Sequence, residues 1–287
     1  MMKSALNSFR YINQHEIGRQ DRISTWRRFI QWQLRSSFGG EVTVPWIHGT
    51  KFVARKGLHG LTGNIYLGLH EFRDMLILLH FLREGDVFAD VGANVGSYTI
   101  LAAGVRKSNV IAFEPIKEAL SFLKENVRLN HLAERVSVVP AGVGAEKGDA
   151  LFVSDSDTTN RIATNGDSSI HQTTSIPIVT LDSALDNTDV AIMKIDVEGY
   201  EEAVMDGAQR TLRNPSLKVI IIETVSERVA VMMKEAGFSK LDYDPTTRRL
   251  TEPESAAEHN YIYVRDRDFV QKRLTSAPKV NVFNLSF

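Results

Sequence analysis

The chain has 287 residues, of which 43% are hydrophobic, a formal net charge of −1 and no cysteine. This length suits one large α/β domain or two small ones, and the charge balance argues against a nucleic-acid partner. The lack of cysteine excludes disulfides and thiolate metal sites, and the cytoplasm is the expected location. The longest apolar stretch, residues 75–82, is far shorter than the roughly 20 residues that span a bilayer, so no transmembrane helix is predicted. The N-terminus also lacks the apolar core of a secretory signal.

Residues 1–40 form a basic segment in which seven Lys and Arg residues face only two acidic ones. Ile23, Trp26 and Ile30 recur at helical spacing, which predicts an amphipathic helix. This helix either covers the main domain or a homodimer face, or contacts anionic lipid or another partner peripherally. Residues 42–57 alternate in polarity around a glycine, which predicts a hairpin. We expect an extension over 1–60, the main domain over 61–270 and a tail over 271–287.

From residue 85 onward, short apolar runs alternate with helical patterns. The predicted strands cover 87–90, 110–114, 135–140, 190–196, 218–223 and 260–265, with strand fragments at 150–153 and 176–179. The predicted helices begin at Gly96 and Pro115 and cover 200–212 and 227–237. This alternation indicates an α/β fold, a largely parallel sheet with helices on both faces.

The first of these strands runs into the sequence DVGANVG, residues 90–96. In an open α/β sheet a ligand binds outside the carboxyl ends of the strands, so this loop is a candidate ligand site. The dinucleotide pattern G-x-G-x-x-G is broken, because Asn94 and Ser97 stand at its second and third glycine positions. Asp90 would repel a phosphate, but it would attract the ammonium and sulfonium groups of S-adenosylmethionine. The loop therefore favours that cofactor over NAD.

The second strand ends in Glu114, 24 residues after Asp90. An acidic residue at this separation reaches the two hydroxyls of a ribose, and one carboxylate can accept both hydrogens. An acid at a strand end is also commonly a helix cap or a solvated charge. The combination with the preceding glycine loop favours the ribose interpretation.

Several motifs together resemble those of FkbM-type S-adenosylmethionine-dependent methyltransferases. They are DVFADVGANVGSYTILAA, IAFEPIKEALSFLKENVRLN and MKIDVEGYEEAVMDGA, supported by IVTLDSAL and VIIIE. The resemblance spans roughly residues 60–225 and implies a class I methyltransferase (Rossmann-like) fold. That fold has a mostly parallel seven-stranded sheet with one reversed strand near the C-terminus. The family usually methylates hydroxyls of sugars, glycans or other small natural products.

The resemblance also assigns cofactor-binding residues. The loop after the first strand would hold the methionine portion through Asp90, Gly92, Ala93, Asn94 and Gly96. Glu114 and the adjoining Pro115 would lie at the ribose, and Ala141 with Gly142 near the adenine.

Methyl transfer to an alcohol needs a group that takes the hydroxyl proton. Asp196 and Glu198 follow the strand MKI in a non-helical turn, whereas Glu201 and Glu202 begin the next helix, where they favour its N-terminus. The turn resembles the D-G-D-M-Y turn of metal-dependent sugar O-methyltransferases. By that comparison Glu198 is the general base, Asp196 a magnesium ligand or hydroxyl anchor, and Glu223 a second metal ligand. The paired aspartates of that family are absent, so metal-independent transfer stays open.

Three further features bear on the site. His171 is a rival to Glu198 as the base, and Lys194 is expected to pair with a neighbouring acid. Residues 154–175 read either as a lid that places Asn160 and Arg161 near the acceptor or as a segment without function.

The sequence thus predicts an S-adenosylmethionine-dependent O-methyltransferase acting on a hydroxyl of a sugar, glycan or related small natural product. One alternative is a metal-independent methyltransferase for an amine, protein or nucleic-acid acceptor, although such enzymes commonly carry a [DN]-P-P-[YF] turn where this chain has DVEG. The other is an inactive methyltransferase-like binding module, which the intact cofactor loop disfavours.

Overall fold

The computed structural model describes residues 9–37, 39–55, 59–153, 161–162, 173–253 and 260–287. Its N-terminal part contains a helical pair, a hairpin and two further helices. These are α1 (Glu16–Gln20), α2 (Arg22–Ser37), β1 (Val42–Pro45), β2 (Lys51–Ala54), α3 (His59–Leu67) and α4 (Phe72–Phe81). β1 and β2 pair antiparallel, as predicted, and Gly49 adopts a φ of 79° in the connection between them. Among the described residues, no helix has both the length and the apolar content to cross a bilayer.

The strands and helices that follow alternate through most of the chain. The first group is β3 (Val87–Val91), α5 (Ser97–Ile100), β4 (Asn109–Phe113), α6 (Lys117–Leu129), β5 (Val136–Val139), β6 (Gly142–Val143), β7 (Gly148–Val153), β8 (Arg161–Ile162) and β9 (Thr173–Val179). The second group is α7 (Leu181–Ala184), β10 (Val190–Ile195), α8 (Glu201–Asp206), α9 (Gln209–Arg213), β11 (Val219–Ile222), α10 (Glu227–Glu235), β12 (Ser239–Asp244), β13 (Arg249–Thr251) and β14 (Tyr261–Val264). The chain ends with α11 (Arg267–Thr275), β15 (Asn281–Val282) and β16 (Leu285–Ser286).

An eight-stranded sheet in the order β13-β12-β14-β11-β10-β3-β4-β5 forms the centre of the fold. The strands β5, β4, β3, β10 and β11 are parallel, and β14 runs antiparallel between β11 and β12. This order, with β14 reversed between β11 and β12, confirms the class I methyltransferase fold. The eighth strand is the three-residue edge strand β13, which pairs only with β12 in the described part of the sheet.

A second, four-stranded sheet has the order β6-β9-β7-β8. It contains the fragments predicted at 150–153 and 176–179, which pair with each other in antiparallel register rather than joining the central sheet. Its strand β6 follows directly from β5. The second sheet therefore lies beside the carboxyl end of β5, next to the predicted ligand site.

The helix expected to begin at Gly96 consists of α5 and a π-helical segment, Leu101–Val105. Two other predicted helices also differ from the observed ones. The helix expected over 200–212 is divided into α8 and α9 around Gly207, where a Cβ atom would lie 2.1 Å from the carbonyl oxygen of Gly144. The helix expected to begin at Pro115 begins at Lys117 instead. The cause is Ile116, which has extended φ and ψ angles and donates its backbone N–H to the Glu114 carboxylate.

Hydrophobic clusters cover both faces of the central sheet. One cluster joins Phe88 and Ile192 of the sheet to Trp32, Trp46 and Phe52 of the N-terminal part. The C-terminal strands belong to the same cluster through buried residues such as Val282. The other face packs against α8 and α10 through a cluster that includes Val204 and Met233. The N-terminal segment and the C-terminus thus share a core with the central sheet.

Candidate active site

A cleft opens at the carboxyl ends of the parallel strands, where a ligand is expected in this class of sheet. It encloses about 930 Å³, part of which is open to solvent. Four loops, those after β3, β4, β5 and β10, supply most of its walls. The predicted site residues that line it are Gly92, Asn94, Glu114, Pro115, Ala141, Gly142, Asp196 and Glu198.

Glu114 connects two of these loops. Its carboxylate accepts the backbone N–H of Asn94 and the backbone N–H of Ile116, each at 2.8 Å. Burial raises the pKa of Glu114 to about 7, although both hydrogen bonds oppose that shift. Because each carboxylate oxygen can accept two hydrogen bonds, the side chain still has acceptor capacity directed at the cleft.

Asp90 lies beneath the loop rather than in its surface. The residue is only 2% exposed, and it is not among the residues that line the cleft. Its carboxylate accepts a hydrogen bond of 2.6 Å from the Thr99 hydroxyl of the following helix. Burial raises the pKa of Asp90 to about 6. Asp90 can therefore attract a cationic ligand electrostatically without lining the cleft. Its hydrogen bond with Thr99 also fixes the start of α5.

Ala93 and Gly96 also lie outside the lining of the cleft. Ala93 is buried, and Gly96 has a φ of 95° at the N-cap of α5. A Cβ atom at Gly96 would lie 2.7 Å from the Leu123 side chain. Ala93 and Gly96 therefore determine the backbone shape of the loop without forming part of the cleft surface.

Gly92 brings the loop after β3 into contact with the turn after β10. Its φ is 82°, and a Cβ atom there would lie 1.9 Å from the carbonyl oxygen of Asp196. The backbone N–H of Asp196 donates in turn to the carbonyl of Val91 at 3.0 Å. The contact between two protein loops therefore requires glycine at this position. The sequence pattern alone attributes the same glycine to the close approach of a ligand.

Three acidic side chains meet beside the cleft. Asp196, Glu198 and Glu223 each offer a carboxylate oxygen, and these oxygens all lie within 4.8 Å of one another. Burial raises the pKa of Glu223 to about 8, and hydrogen bonding with Asp196 adds to this effect. Glu223 therefore holds a proton at neutral pH and shares it with Asp196.

Lys194 supplies the positive charge nearest to this acidic group. It is buried, forms an ion pair with Asp196 as the sequence predicted, and lies 4.7 Å from the centre of the Tyr98 ring. It is also the cross-strand neighbour of Asp90. Burial disfavours the charged form of both side chains, but the attraction between their opposite charges is stronger. The pKa of Asp196 is therefore lowered and that of Lys194 is raised. Both groups are charged at neutral pH.

Glu198 has an unusual backbone conformation. Its φ of 53° lies in the left-handed region, which is uncommon for residues other than glycine, and Gly199 follows with a φ of 88°. The N–H of Gly199 donates to the carboxylate of Glu201 at 3.2 Å, which helps to hold the turn. Burial raises the pKa of Glu198, and the negative charge of Asp196 raises it further. Residues in such conformations concentrate at functional sites.

The acidic group has the donor chemistry of a hard-cation site, but its surroundings do not favour magnesium. Lys194 already neutralises Asp196, and Glu223 shares a proton with the same carboxylate. We therefore derive no step of the reaction through a metal.

Several predicted residues lie outside the described part of the chain. They are His171 and Asn160, together with most of the segment 154–175. Of Arg161 only the backbone is described, in β8.

Sequence reasoning missed Ile176 and Tyr200, which also line the cleft. Ile176 belongs to the second sheet, whose pairing follows from contacts distant in sequence. Tyr200 had a local signal that was overlooked, because it stands in the same turn as Asp196 and Glu198.

The sheet order and the cleft at its carboxyl edge define a class I S-adenosylmethionine-dependent methyltransferase. The sequence profile of the methyltransferase FkbM domain matches residues 90–240, just over half of the chain. The protein therefore belongs to the FkbM methyltransferase family.

Individual relatives include the hexuronic acid methyltransferase AglP of Haloferax volcanii. It is 30% identical to this chain over 203 residues, which cover 68% of this chain and 73% of AglP. Among solved structures, TYW2 of M. jannaschii in complex with AdoMet is 18% identical, with a TM-score of 0.41 over 79% of this chain and 84% of that one. Precorrin-6y C5,15-methyltransferase from Geobacter metallireducens is 18% identical, with a TM-score of 0.36 over 67% of this chain and 83% of that one.

Proposed function

We propose that this enzyme transfers the methyl group of S-adenosylmethionine to a hydroxyl oxygen of a sugar or glycan-like acceptor. The observation that carries the proposal is the position of Glu198, which lines the same cleft as the cofactor loops and is held in a strained turn. The likeness to a hexuronic acid methyltransferase supports a sugar acceptor.

In this proposal the cofactor lies along the loops after β3, β4 and β5. Gly92 and Asn94 contact its methionine portion, Glu114 its ribose and Ala141 its adenine, and Asp90 stabilises its positive charge from below. The lining of one continuous cleft by four of these residues supports the arrangement. The bound cofactor supplies an electrophilic methyl group on a sulfonium, which becomes a neutral thioether when the methyl group leaves.

Glu198 acts as the general base. The acceptor oxygen forms its bond to the methyl carbon as the carbon–sulfur bond breaks, and the hydroxyl proton passes to the Glu198 carboxylate. The raised pKa of Glu198 makes it a stronger base than a fully solvated carboxylate. Asp196 remains ionised beside Lys194 and can accept a hydrogen bond from a neighbouring hydroxyl of the acceptor, which orients the attacking one.

The charge of the site favours a hydroxyl over a carboxylate as the attacking group. A hexuronic acid offers both, since it carries ring hydroxyls and one carboxyl group. An acceptor carboxylate would approach Asp196 and Glu198, and like charges at this distance repel. A hydroxyl group arrives neutral and gives its proton to this group of acids, so the acidic cluster assists it.

The proposal is tested by labelled methyl transfer to a set of acceptors. Purified enzyme and labelled cofactor are incubated with neutral oligosaccharides, with oligosaccharides that contain hexuronic acid, and with the methyl esters of the latter. We expect transfer to both the free acids and their esters, because the esters retain the hydroxyls. Transfer to the free acids alone would assign the carboxyl oxygen. Transfer to none of these acceptors, but to protein or RNA added in parallel reactions, would overturn the sugar assignment.

The cofactor arrangement is tested by calorimetric titration with S-adenosylmethionine. Asp90→Asn removes the charge while retaining the shape of the side chain, and we expect about tenfold weaker binding. Asp149→Asn is a matched control outside the lining of the cleft. Equal affinity in wild type and Asp90→Asn would remove Asp90 from the cofactor site.

A further inference from the structure

The helix α2 has two faces of different character. Thr25, Trp32 and Ser36 are buried against the protein. On the opposite face Ile23 is 87% exposed, Ile30 is 53% exposed and Leu34 is 61% exposed. Spacings of seven and four residues place these three side chains on one line along the helix. α2 thus directs an apolar stripe away from the core.

Aromatic side chains widen this stripe at its N-terminal half. Trp26 borders a shallow groove together with Ile23 and Ile30. Phe9, which is half exposed, packs on the Trp26 ring with 5.5 Å between the ring centres. The exposed apolar surface is therefore larger than the three aliphatic side chains alone.

Positive charges flank the stripe on both sides. Arg22 is exposed on one side, and Arg27 and Arg35 are exposed on the other. The sequence of α2, RISTWRRFIQWQLRSS, contains no acidic residue. Its remaining arginine, Arg28, points inward, donates to the carbonyl of Tyr66 and pairs with Asp21. The outward face of α2 therefore carries only positive charge, although the whole chain is nearly neutral.

An apolar stripe flanked on both sides by arginine is the pattern of a helix that lies in the interface of an anionic bilayer. The apolar side chains enter the boundary between headgroups and acyl chains, and each arginine gains from the negative surface potential. A second copy of the chain fits less well. Two-fold packing of α2 on itself would bring the same arginines of both copies together, with no acid on α2 to pair with them.

We propose that α2 docks this methyltransferase on an anionic lipid surface as a peripheral membrane protein. The helix lies parallel to the bilayer over its length of about 24 Å. Its anchoring to the rest of the chain through Arg28, which also lies 3.9 Å from the centre of the Phe283 ring, keeps the stripe facing outward. This proposal is independent of the acceptor proposed above.

The test is sedimentation of the full chain with vesicles. One set contains phosphatidylcholine alone, and the other contains equal parts of phosphatidylcholine and phosphatidylglycerol. We expect binding to the second set at least about tenfold tighter than to the first, weakening as salt is added because exposed charges are screened. Absence of binding to the anionic vesicles, or equal binding to both sets, would overturn the proposal.

Paired variants assign the binding surface. Replacing both aliphatic residues in Ile23→Ser/Ile30→Ser should weaken vesicle binding at least about tenfold, because two apolar side chains no longer enter the bilayer. Val231→Ser is the matched control, because Val231 is 55% exposed on the distant helix α10. Its binding should remain within about twofold of wild type. Cofactor affinity checks that each variant is folded.

A second pair of variants tests the charge. Arg22→Gln/Arg27→Gln should weaken binding to the anionic vesicles about tenfold. Arg249→Gln, at an exposed arginine of β13, should leave it unchanged. Sedimentation equilibrium completes the test. A dimer that Ile23→Ser/Ile30→Ser dissociates, in a protein that does not bind vesicles, would assign the stripe to a second copy and overturn the lipid assignment.

Discussion

The two sides of the cleft are built in different ways. On the donor side, the loops after β3 and β4, Glu114 is buried and bonded to two backbone N–H groups, and Gly92 fits against another loop without space for a methyl group. On the acid side, the turn after β10 with Glu223, three carboxyl groups lie close together and two of them, Asp196 and Glu223, share a proton. The donor side depends on backbone shape and the acid side on titratable groups, so different perturbations should affect each.

The largest effect is expected on the acid side, from Glu198→Gln. The amide retains the shape of the side chain but cannot accept the acceptor proton, so turnover should fall by about 10²- to 10⁴-fold. Affinity for S-adenosylmethionine should stay within about twofold, because the donor side is intact. Labelled methyl transfer and calorimetric titration measure the two quantities.

Glu202→Gln is the control for that variant, since Glu202 is exposed on α8 and pairs with Arg228. It should retain wild-type turnover. If Glu198→Gln retained it as well, another group would have to be the base.

Lys194 connects the two sides, and Lys194→Met should destabilise the fold. The substitution leaves Asp196 and Asp90 without their buried counter-charge, and breaking a buried pair in this way typically costs about 3 to 5 kcal/mol. Lys218→Met breaks the more exposed pair with Asp266 and should cost less than about 1 kcal/mol. Urea unfolding measures both. Equal losses of unfolding free energy in the two variants would mean that the buried position of Lys194 between the two sides does not increase its contribution to stability.

On the donor side, Gly92→Ala separates steric contact from backbone strain. Gly92 and Gly85 have nearly equal φ angles of 82° and 83°, but nothing lies within 4 Å of a Cβ atom at Gly85. Alanine at Gly85 should cost about 1 kcal/mol from the left-handed backbone alone. Alanine at Gly92 should cost about 1 to 3 kcal/mol more and weaken cofactor binding, because the two loops must separate. Similar stabilities for the two variants would contradict the interlocked loops.

The smallest effect at neutral pH is expected from Glu223→Gln. Glu223 already holds a proton there, so a neutral amide should leave turnover within a few-fold of wild type. A chelator should likewise leave wild-type activity intact. Loss of activity in both experiments would instead support the metal role predicted for Asp196 and Glu223.

The same variant should change the dependence of stability on pH. The pKa of Glu223 is about 8 in the folded chain and about 4.5 when unperturbed, so the folded state binds more protons between these values. Its contribution to stability therefore falls as pH rises through this window. Glu223→Gln should flatten that decline, which unfolding at several pH values measures. An unchanged slope would contradict the shared proton.

The sequence predicted the central sheet because its strands are continuous apolar runs separated by helical periodicity. It also located the cleft, since the acids and glycines follow the strands directly. It did not predict the contact between Gly92 and Asp196, because the two residues are more than a hundred positions apart in the chain. The four-stranded sheet that contains Ile176 was not predicted for the same reason, because its register depends on pairing between segments distant in the sequence.

Sequence reasoning also placed Asp90 in direct contact with the cofactor, whereas the structure puts its carboxylate under the loop. The side chains of a strand alternate between the two faces of the sheet. The sequence of one fully buried strand does not show on which face the Asp90 carboxylate lies, or whether it reaches the cleft. The pairing of Asp90 with Lys194 becomes visible only when β3 and β10 are in register.

The contact between Gly92 and Asp196 restricts how this enzyme can diverge. An insertion in either loop would displace the other, so a lineage that changes its acceptor has little freedom to do so there. Variation in specificity should instead accumulate in the four-stranded sheet that borders the cleft, which can be lengthened or reshaped without moving the donor loop. Comparing orthologues with different products would show their differences concentrated between residues 148 and 179.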